Sequence, residues 1–334
     1  MMRWGLIGAS TIAEQHMIAA IRATGGEVQT VVSTSLERAR SFADGHGIAQ
    51  AADNLAILLN DASIQAVYIS STNEKHRTQA LAAIAAGKHV LCEKPLAMTV
   101  AEAAEMVRAA DAAKVVFATN HHLRCSGSHR AVRDLIRAGR IGRVLSLRLF
   151  HAVHLPANLQ GWRINDAAAG GGVIPDITVH DADVARFLLG EDPLAVVAQM
   201  GASGMGQGVE DSAMSVWTMP SGAMVSSHES FTHPFAGSGL EVHGTHGSII
   251  ARGVMTQLPV GEVELVTAEG REGVPFPAHN LYVQGVTDFL AAVAGTGQPA
   301  ASGADGVASL AVALAVREAA RTGIRQVVDY GRAA

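Results

Sequence analysis

WGLIGASTIA, residues Trp4–Ala13, is the stretch on which the reading of this chain turns. A short apolar run enters Gly8-Ala9-Ser10-Thr11-Ile12-Ala13, and an amphipathic stretch follows. That order predicts strand, tight turn and helix. In that geometry backbone N–H groups and a helix N-terminus receive a pyrophosphate. The pattern departs from G-x-G-x-x-G/A at one place, where Ser10 replaces the second glycine.

Working outward, the first 120 residues alternate. Strands are predicted at Trp4–Ile7, Glu27–Ser33, Ala66–Ser70, His89–Cys92 and Val115–Ala118. Between them helices are predicted at Thr11–Ala23, Leu36–His46, Leu55–Leu59, Lys75–Ala86 and Val100–Ala113. This spacing means βαβ units and a doubly wound parallel α/β sheet over residues 1–120. Polar strand ends (Ser70-Ser71-Thr72-Asn73, Glu93-Lys94, Thr119-Asn120) then fall at the carboxyl edge, where such a sheet binds its ligand. Beyond Asn120 the rhythm changes. After a helix at Ser126–Ala138, a strand at Arg143–His151 and a helical run at Asp176–Leu188 come six strand-like segments between Ala195 and Thr267 with no helix between them. Residues 121–334 are therefore expected to form an α+β domain with an open, mostly antiparallel sheet. Two helices, Leu281–Val293 and Asp305–Arg321, close the chain, and the C-terminal helix is expected to pack back on the first domain.

Composition narrows the class. Of 334 residues, 49% are hydrophobic but only 4% aromatic, so the interior is aliphatic and alanine-rich. A net charge of −5 lacks the basic excess of a nucleic-acid binder. No apolar run reaches the roughly 18 residues of a membrane span, and a strand beginning at once leaves no room for a signal peptide. The expectation is a cytoplasmic protein. Its two cysteines, Cys92 and Cys125, form no disulfide framework and are read as buried hydrophobes.

The turn at Gly8, the strand ending in Glu93-Lys94-Pro95 and the D-x-x-x-H of Asp176–His180 together resemble the glucose–fructose oxidoreductase/inositol dehydrogenase superfamily. The likeness spans essentially the whole chain. Within it, GLIGASTIA, SSTNEKHR, GKHVLCEKPLAMT, TNHHLR, LQGWR and DITVHDAD are similar to the branch that reduces the C2 carbonyl of 1,5-anhydro-D-fructose to 1,5-anhydro-D-mannitol. The resemblance implies an oxidoreductase with a nicotinamide cofactor and a small sugar substrate. It suggests a monomer, although an open second-domain sheet could also pair two copies.

The residues sharpen this. NAD-specific folds place Asp or Glu at the end of the second strand to accept from ribose hydroxyls. Here Ser33 and Thr34 stand there, and Arg38 follows one helical turn on with a guanidinium suited to a phosphate, so NADP(H) is expected. A polar loop beside a surface arginine is the alternative. Ser10 is expected to offer its hydroxyl to the pyrophosphate, and Ala13 to keep helix and strand close. By resemblance Ser71, Thr72, Asn73, Glu74 and His76 line the pyrophosphate and ribose, although Thr72 or Asn73 would also serve as a helix N-cap. Glu93 and Lys94 belong to the same edge. Lys94 is expected to polarise a carbonyl and favour the developing alkoxide, with a Glu93–Lys94 ion pair as the structural alternative. Asn120 is expected at the nicotinamide end.

Asp176 and His180 share a helical face by their spacing. Imidazole is the side chain best suited to proton transfer near neutrality, so His180 is read as the proton donor, with Asp176 orienting it or the substrate. Asp181 and Asp183 read as helix-surface charges. Trp162 and Arg163 by resemblance reach the cofactor, with a stacked surface pair as the alternative, and Tyr282 is a weaker candidate for that role. Fifteen histidines raise a metal site, but His121-His122, His151-x-x-His154 and Cys125 give no compact ligand set, so no metal is expected. A polyol dehydrogenase using NAD(P) and a dinucleotide-sensing regulator without turnover are the rival functions.

Overall fold

The computed structural model describes residues 1–331, so residues 332–334 of the expected second domain lie outside the described residues. The described residues divide into one unit of residues 1–122 with 282–307 and another of 123–281 with 308–331.

The first unit is built on six strands: β1 (Arg3–Ile7), β2 (Glu27–Val32), β3 (Gln50–Ala52), β4 (Ala66–Ile69), β5 (His89–Cys92) and β6 (Phe117–Thr119). They lie in the order β3-β2-β1-β4-β5-β6, all parallel. Strand order reverses between β1 and β4, which makes their carboxyl ends the ligand crevice of a doubly wound sheet. Strands covered on both faces need unbroken apolar runs; accordingly β4 is buried throughout and β1 is buried after its first residue. Trp4 is fully buried against Phe289, ring centroids 5.2 Å apart. Truncating it to alanine would cost about 3–5 kcal/mol. Local caps agree with the pattern, with Ser35 and Asn54 accepting at helix starts and a Thr99–Glu102 capping box opening the helix Val100–Ala113.

The second unit is a nine-stranded sheet. Its strands are β7 (Val144–Ala152), β8 (Ala195–Gly201), β9 (Ser212–Thr218), β10 (Met224–Ser230), β11 (Gly239–Gly244), β12 (Gly247–Arg252), β13 (Glu262–Thr267), β14 (Gly270–Gly273) and β15 (Gln326–Val327). The order is β14-β13-β12-β11-β7-β10-β9-β8-β15. It is mixed rather than purely antiparallel, because β7 pairs with β10 in parallel across the long connection that carries the helix Val179–Leu189. The edge strands β14 and β15 escape the sequence reading, the one fully exposed and the other two residues long. In β9 buried and exposed residues alternate, so one sheet face is covered and the other displays Val197, Met214, Val216 and Met224.

Two predicted helices carry a local irregularity. The one after Gly8 runs through a π-helical turn at Ala13–Met17 before the α-helix Ile18–Ala23, and another π turn at Ile174–Thr178 leads into Val179–Leu189. A π turn adds one residue to the helical repeat and recurs at functional sites. Both lie beside residues singled out above. Among the described residues no helix is long and apolar enough to cross a membrane.

Candidate active site

The first unit presents the dinucleotide turn. Gly8 has φ 117°, and a Cβ there would meet the Ser70 carbonyl carbon at 2.9 Å, so glycine is required where the β1 and β4 ends approach. Ser10 does more than the sequence reading assigned to it. Its hydroxyl donates to Ser70 Oγ at 2.7 Å and accepts from the Ala13 N–H at 3.2 Å. It therefore ties the two strand ends together and caps the helix, in a role that a glycine could not fill. Ala9 and Ala13 are buried and Thr11 and Ile12 half-buried along the same turn.

At the end of β2, Ser33 is half-buried, its N–H donating to the Ala52 carbonyl at 3.0 Å, and Thr34 is exposed. Arg38 is exposed on the next helix, and its Nη2 donates to the Ala9 carbonyl at 2.8 Å. The guanidinium is thus held beside the glycine turn, with the neutral Ser33 on the adjoining strand end. This donor set fits a phosphorylated dinucleotide: N–H groups at the turn, one cation and no carboxylate at positions 33 and 34.

The loop after β4 is organised by its own side chains. Thr72 caps no backbone N–H, contrary to the N-cap alternative; its hydroxyl donates to Glu74 at 2.7 Å, while Ser71 donates to Gln79 at 2.6 Å. Asn73 is buried. His76 is fully buried with Nδ1 2.8 Å from the Pro95 carbonyl and Nε2 3.1 Å from that of Ser71. Both nitrogens are engaged by backbone, so His76 joins two loops rather than presenting itself to a ligand. A neutral ring can donate to only one of the two carbonyls. Burial pulls its pKa below the ordinary value, against the pull of those carbonyls.

Lys94 and Pro95, joined by a cis peptide, follow β5. Glu93 Oε1 accepts from Tyr68 Oη and from Asn120 Nδ2, each at 2.5 Å. Burial raises the Glu93 carboxyl above its usual range despite these donors, and burial with the Glu93 charge drives the Tyr68 phenol well up. Asn120 is thereby fixed at the end of β6 by Glu93, a pairing that the sequence reading did not draw. Tyr282 is buried and stacked near-parallel to His16 and His122, with centroids 4.4 and 5.5 Å away. Its ring is a packing element.

The second unit carries the remaining candidate residues. Arg163 lies 4.8 Å over the Trp162 ring and 3.5 Å from Asp176, so three predicted residues form one line. Asp176 sits in the π turn, half-buried, whereas His180 is buried in the first turn of the following helix. The start of this segment is held by Glu210, a residue sequence reasoning missed: its Oε1 accepts from Ile174 N–H at 3.2 Å and its carbonyl from Val173 at 3.0 Å. A Cβ on Gly172, φ 115°, would collide with that carboxyl. Asp181 and Asp183 are not surface charges. Asp181 accepts from His151 Nδ1 and Ser227, each at 2.9 Å, and Asp183 pairs with Arg124 at 2.7 Å, both acids buried. The helix is covered on that side, and a buried acid requires such partners. No group of three His, Cys, Asp or Glu among the described residues is arranged to hold a metal.

Residues 2–121 match the oxidoreductase family with an NAD-binding Rossmann fold, and residues 129–250 match the GFO/IDH/MocA C-terminal domain. The chain belongs to the GFO/IDH/MocA oxidoreductase family. Its relatives include the 1,5-anhydro-D-fructose reductase of Ensifer adhaerens, 55% identical over 99% of this chain and 100% of that one. The inositol 2-dehydrogenase of Rhizobium meliloti (strain 1021) is 30% identical over 96% of this chain and 97% of its own. Among solved structures, levoglucosan dehydrogenase in complex with NADH and levoglucosan superposes with a TM-score of 0.88 at 25% identity, covering 98% and 99% of the two chains. GFO/IDH/MocA membership accounts for the two units and for the Rossmann strand order. It leaves open the choice between NAD and NADP, on which Ser33 and Arg38 bear.

Proposed function

We propose that this GFO/IDH/MocA oxidoreductase uses NADPH to reduce the C2 carbonyl of 1,5-anhydro-D-fructose, giving 1,5-anhydro-D-mannitol. The observation that carries the substrate is the 55% identity to the Ensifer adhaerens reductase over 99% of the chain. Support for NADPH is local: a neutral Ser33 at the end of β2, with Arg38 anchored to the Ala9 carbonyl beside it.

NADPH supplies the hydride when bound. The turn at Gly8–Ala13 receives its pyrophosphate through backbone N–H groups, and Arg38 its additional phosphate. Asn120, held by Glu93, orients the nicotinamide end. Lys94 donates to the substrate carbonyl and stabilises the alkoxide that develops. His180 delivers the proton to that oxygen. Asp176, backed by Arg163, accepts from a neighbouring substrate hydroxyl. A ring that cannot open keeps its ketone available, whereas fructose holds its carbonyl mostly as a hemiketal.

The test compares NADPH oxidation with 1,5-anhydrofructose, fructose and inosose, identifying each product. Anhydrofructose is expected to turn over fastest and to yield the manno epimer. Faster turnover of inosose, or the gluco epimer as the main product, refutes the substrate assignment.

A further inference from the structure

Beneath the helix that carries His180 lies a chain of side chains to which the proposed chemistry gives no task. Ser227 Oγ is 2.9 Å from Asp181 Oδ2 and 2.6 Å from Glu229 Oε1, and all three residues are buried. A hydroxyl has one hydrogen, so Ser227 donates to one carboxyl and accepts from the other, which must itself be protonated. Asp181 Oδ1 faces His151 Nδ1 at 2.9 Å. That nitrogen carries the hydrogen, since two acceptors would repel. Asp181 is therefore the anion, accepting on both oxygens, and Glu229 bears the proton. Burial first, then the Asp181 charge, push the Glu229 carboxyl well above its usual range, in agreement with the proton count.

The chain ends at His151, whose ring centroid is 6.3 Å from that of His180. One water can bridge such a gap. With Nδ1–H committed to Asp181, Nε2 is the nitrogen of His151 left to take and give a proton, and the carboxylate behind it holds the ring in that tautomer and orientation, as in other His–carboxylate pairs. The titratable groups facing His151 are Asp181 and His180 of the helix Val179–Leu189, Glu229 of β10 behind Ser227, and His129 of the helix Gly127–Arg137.

We propose that His151 returns a proton to His180 after each turnover, held ready for this by the Glu229–Ser227–Asp181 chain with the carboxylic proton on Glu229. This rests on the reading of His180 as proton donor. One proton enters from solvent at His151 Nε2, crosses a water to His180 and leaves on the product hydroxyl. Asp181 keeps its charge and Glu229 its proton throughout. His151 is thus a relay, and Glu229 a positioning residue.

Two measurements decide it. In the first, His151→Gln is expected to lower kcat roughly 10²-fold, with NADPH affinity retained and kcat restored by added imidazole, which only a proton-transfer role allows. In the second, which needs no turnover, the infrared spectrum at neutral pH is expected to show a protonated-carboxyl C=O band that disappears in Glu229→Gln and persists in Asp181→Asn. Wild-type kcat in His151→Gln, or a deficit that imidazole leaves untouched, overturns the relay. Absence of the band, or its loss in Asp181→Asn instead, overturns the proton assignment. Wild-type kcat in His180→Ala refutes the proton-donor reading and the relay with it, whereas a loss at His180 with none at His151 refutes the relay alone.

Discussion

Replacing Arg38 with alanine would separate two roles of its guanidinium, one seen in the structure and one proposed. The guanidinium donates to the Ala9 carbonyl at 2.8 Å, a bond that steadies the dinucleotide turn for any cofactor. Losing one part-buried hydrogen bond of this kind costs about 0.5–1.5 kcal/mol. That weakens NADH and NADPH alike by about two- to tenfold. A charge-assisted contact to the additional phosphate is worth about 1.5–3 kcal/mol more and exists only for NADPH. Arg38→Ala is therefore expected to raise the NADPH Kd about 10- to 150-fold beyond the common factor, with NADH changed only by that factor. Fluorescence titration of both cofactors against wild type and variant gives the ratio directly. If the two Kd values rise by the same factor, Arg38 serves the turn alone, and the cofactor argument from Ser33 falls with it.

Replacing His180 with alanine should leave NADPH binding intact and lower kcat by roughly 10²–10⁴-fold in steady-state assays; a folded variant near wild-type kcat would remove it as the acid. Lys94→Ala should lower kcat/KM by about 10²–10³-fold through lost alkoxide stabilisation. Asp211 accepts from the N–H groups of Ser203, Gly204, Met205 and Gly206 and from the Ser203 hydroxyl. These donors overcome its burial and lower its pKa from 3.8 to about 2, so its stabilisation, about 2 kcal/mol, is complete above the unfolded value and lost as pH falls through about 2. Urea melts of Asp211→Asn should show that deficit at neutral pH and a smaller one near the folded pKa. His129 is depressed to about 3 by burial and by the nearby His151, so below the ordinary histidine value of 6.5 the unfolded chain binds a proton that the folded one refuses. Stability should fall by roughly 2 kcal/mol between pH 6.5 and 4.5 from this group, and His129→Gln should flatten that limb in urea melts.

Much of the first unit was legible because its cues are local. An apolar run, a glycine turn and an amphipathic helix repeat within a few residues of one another, and the crevice follows from where the strands end. Gly8, Ser33, Arg38 and Lys94 stand out by position along that pattern. The resemblance then supplied Trp162, Arg163, Asp176 and His180. What local reading missed depends on contacts distant in sequence. Ser10 is defined by Ser70, and Asn120 by a Glu93 that also holds Tyr68. Both π turns shift a helix by one residue without changing its apolar spacing enough to be read. Asp181 and Asp183 looked solvent-facing because charge on a helix usually is, and the burial that reverses this comes from His151, Ser227 and Arg124 on other elements. The sequence by itself determined the glycine turn after the first strand, the alternation that builds the parallel sheet, and the family. Only the tertiary structure decided which acids are buried, which histidines are bound to backbone and which side chains join Asp181 to His151 and Ser227, because burial and hydrogen bonding are set by neighbours that folding brings from far along the chain.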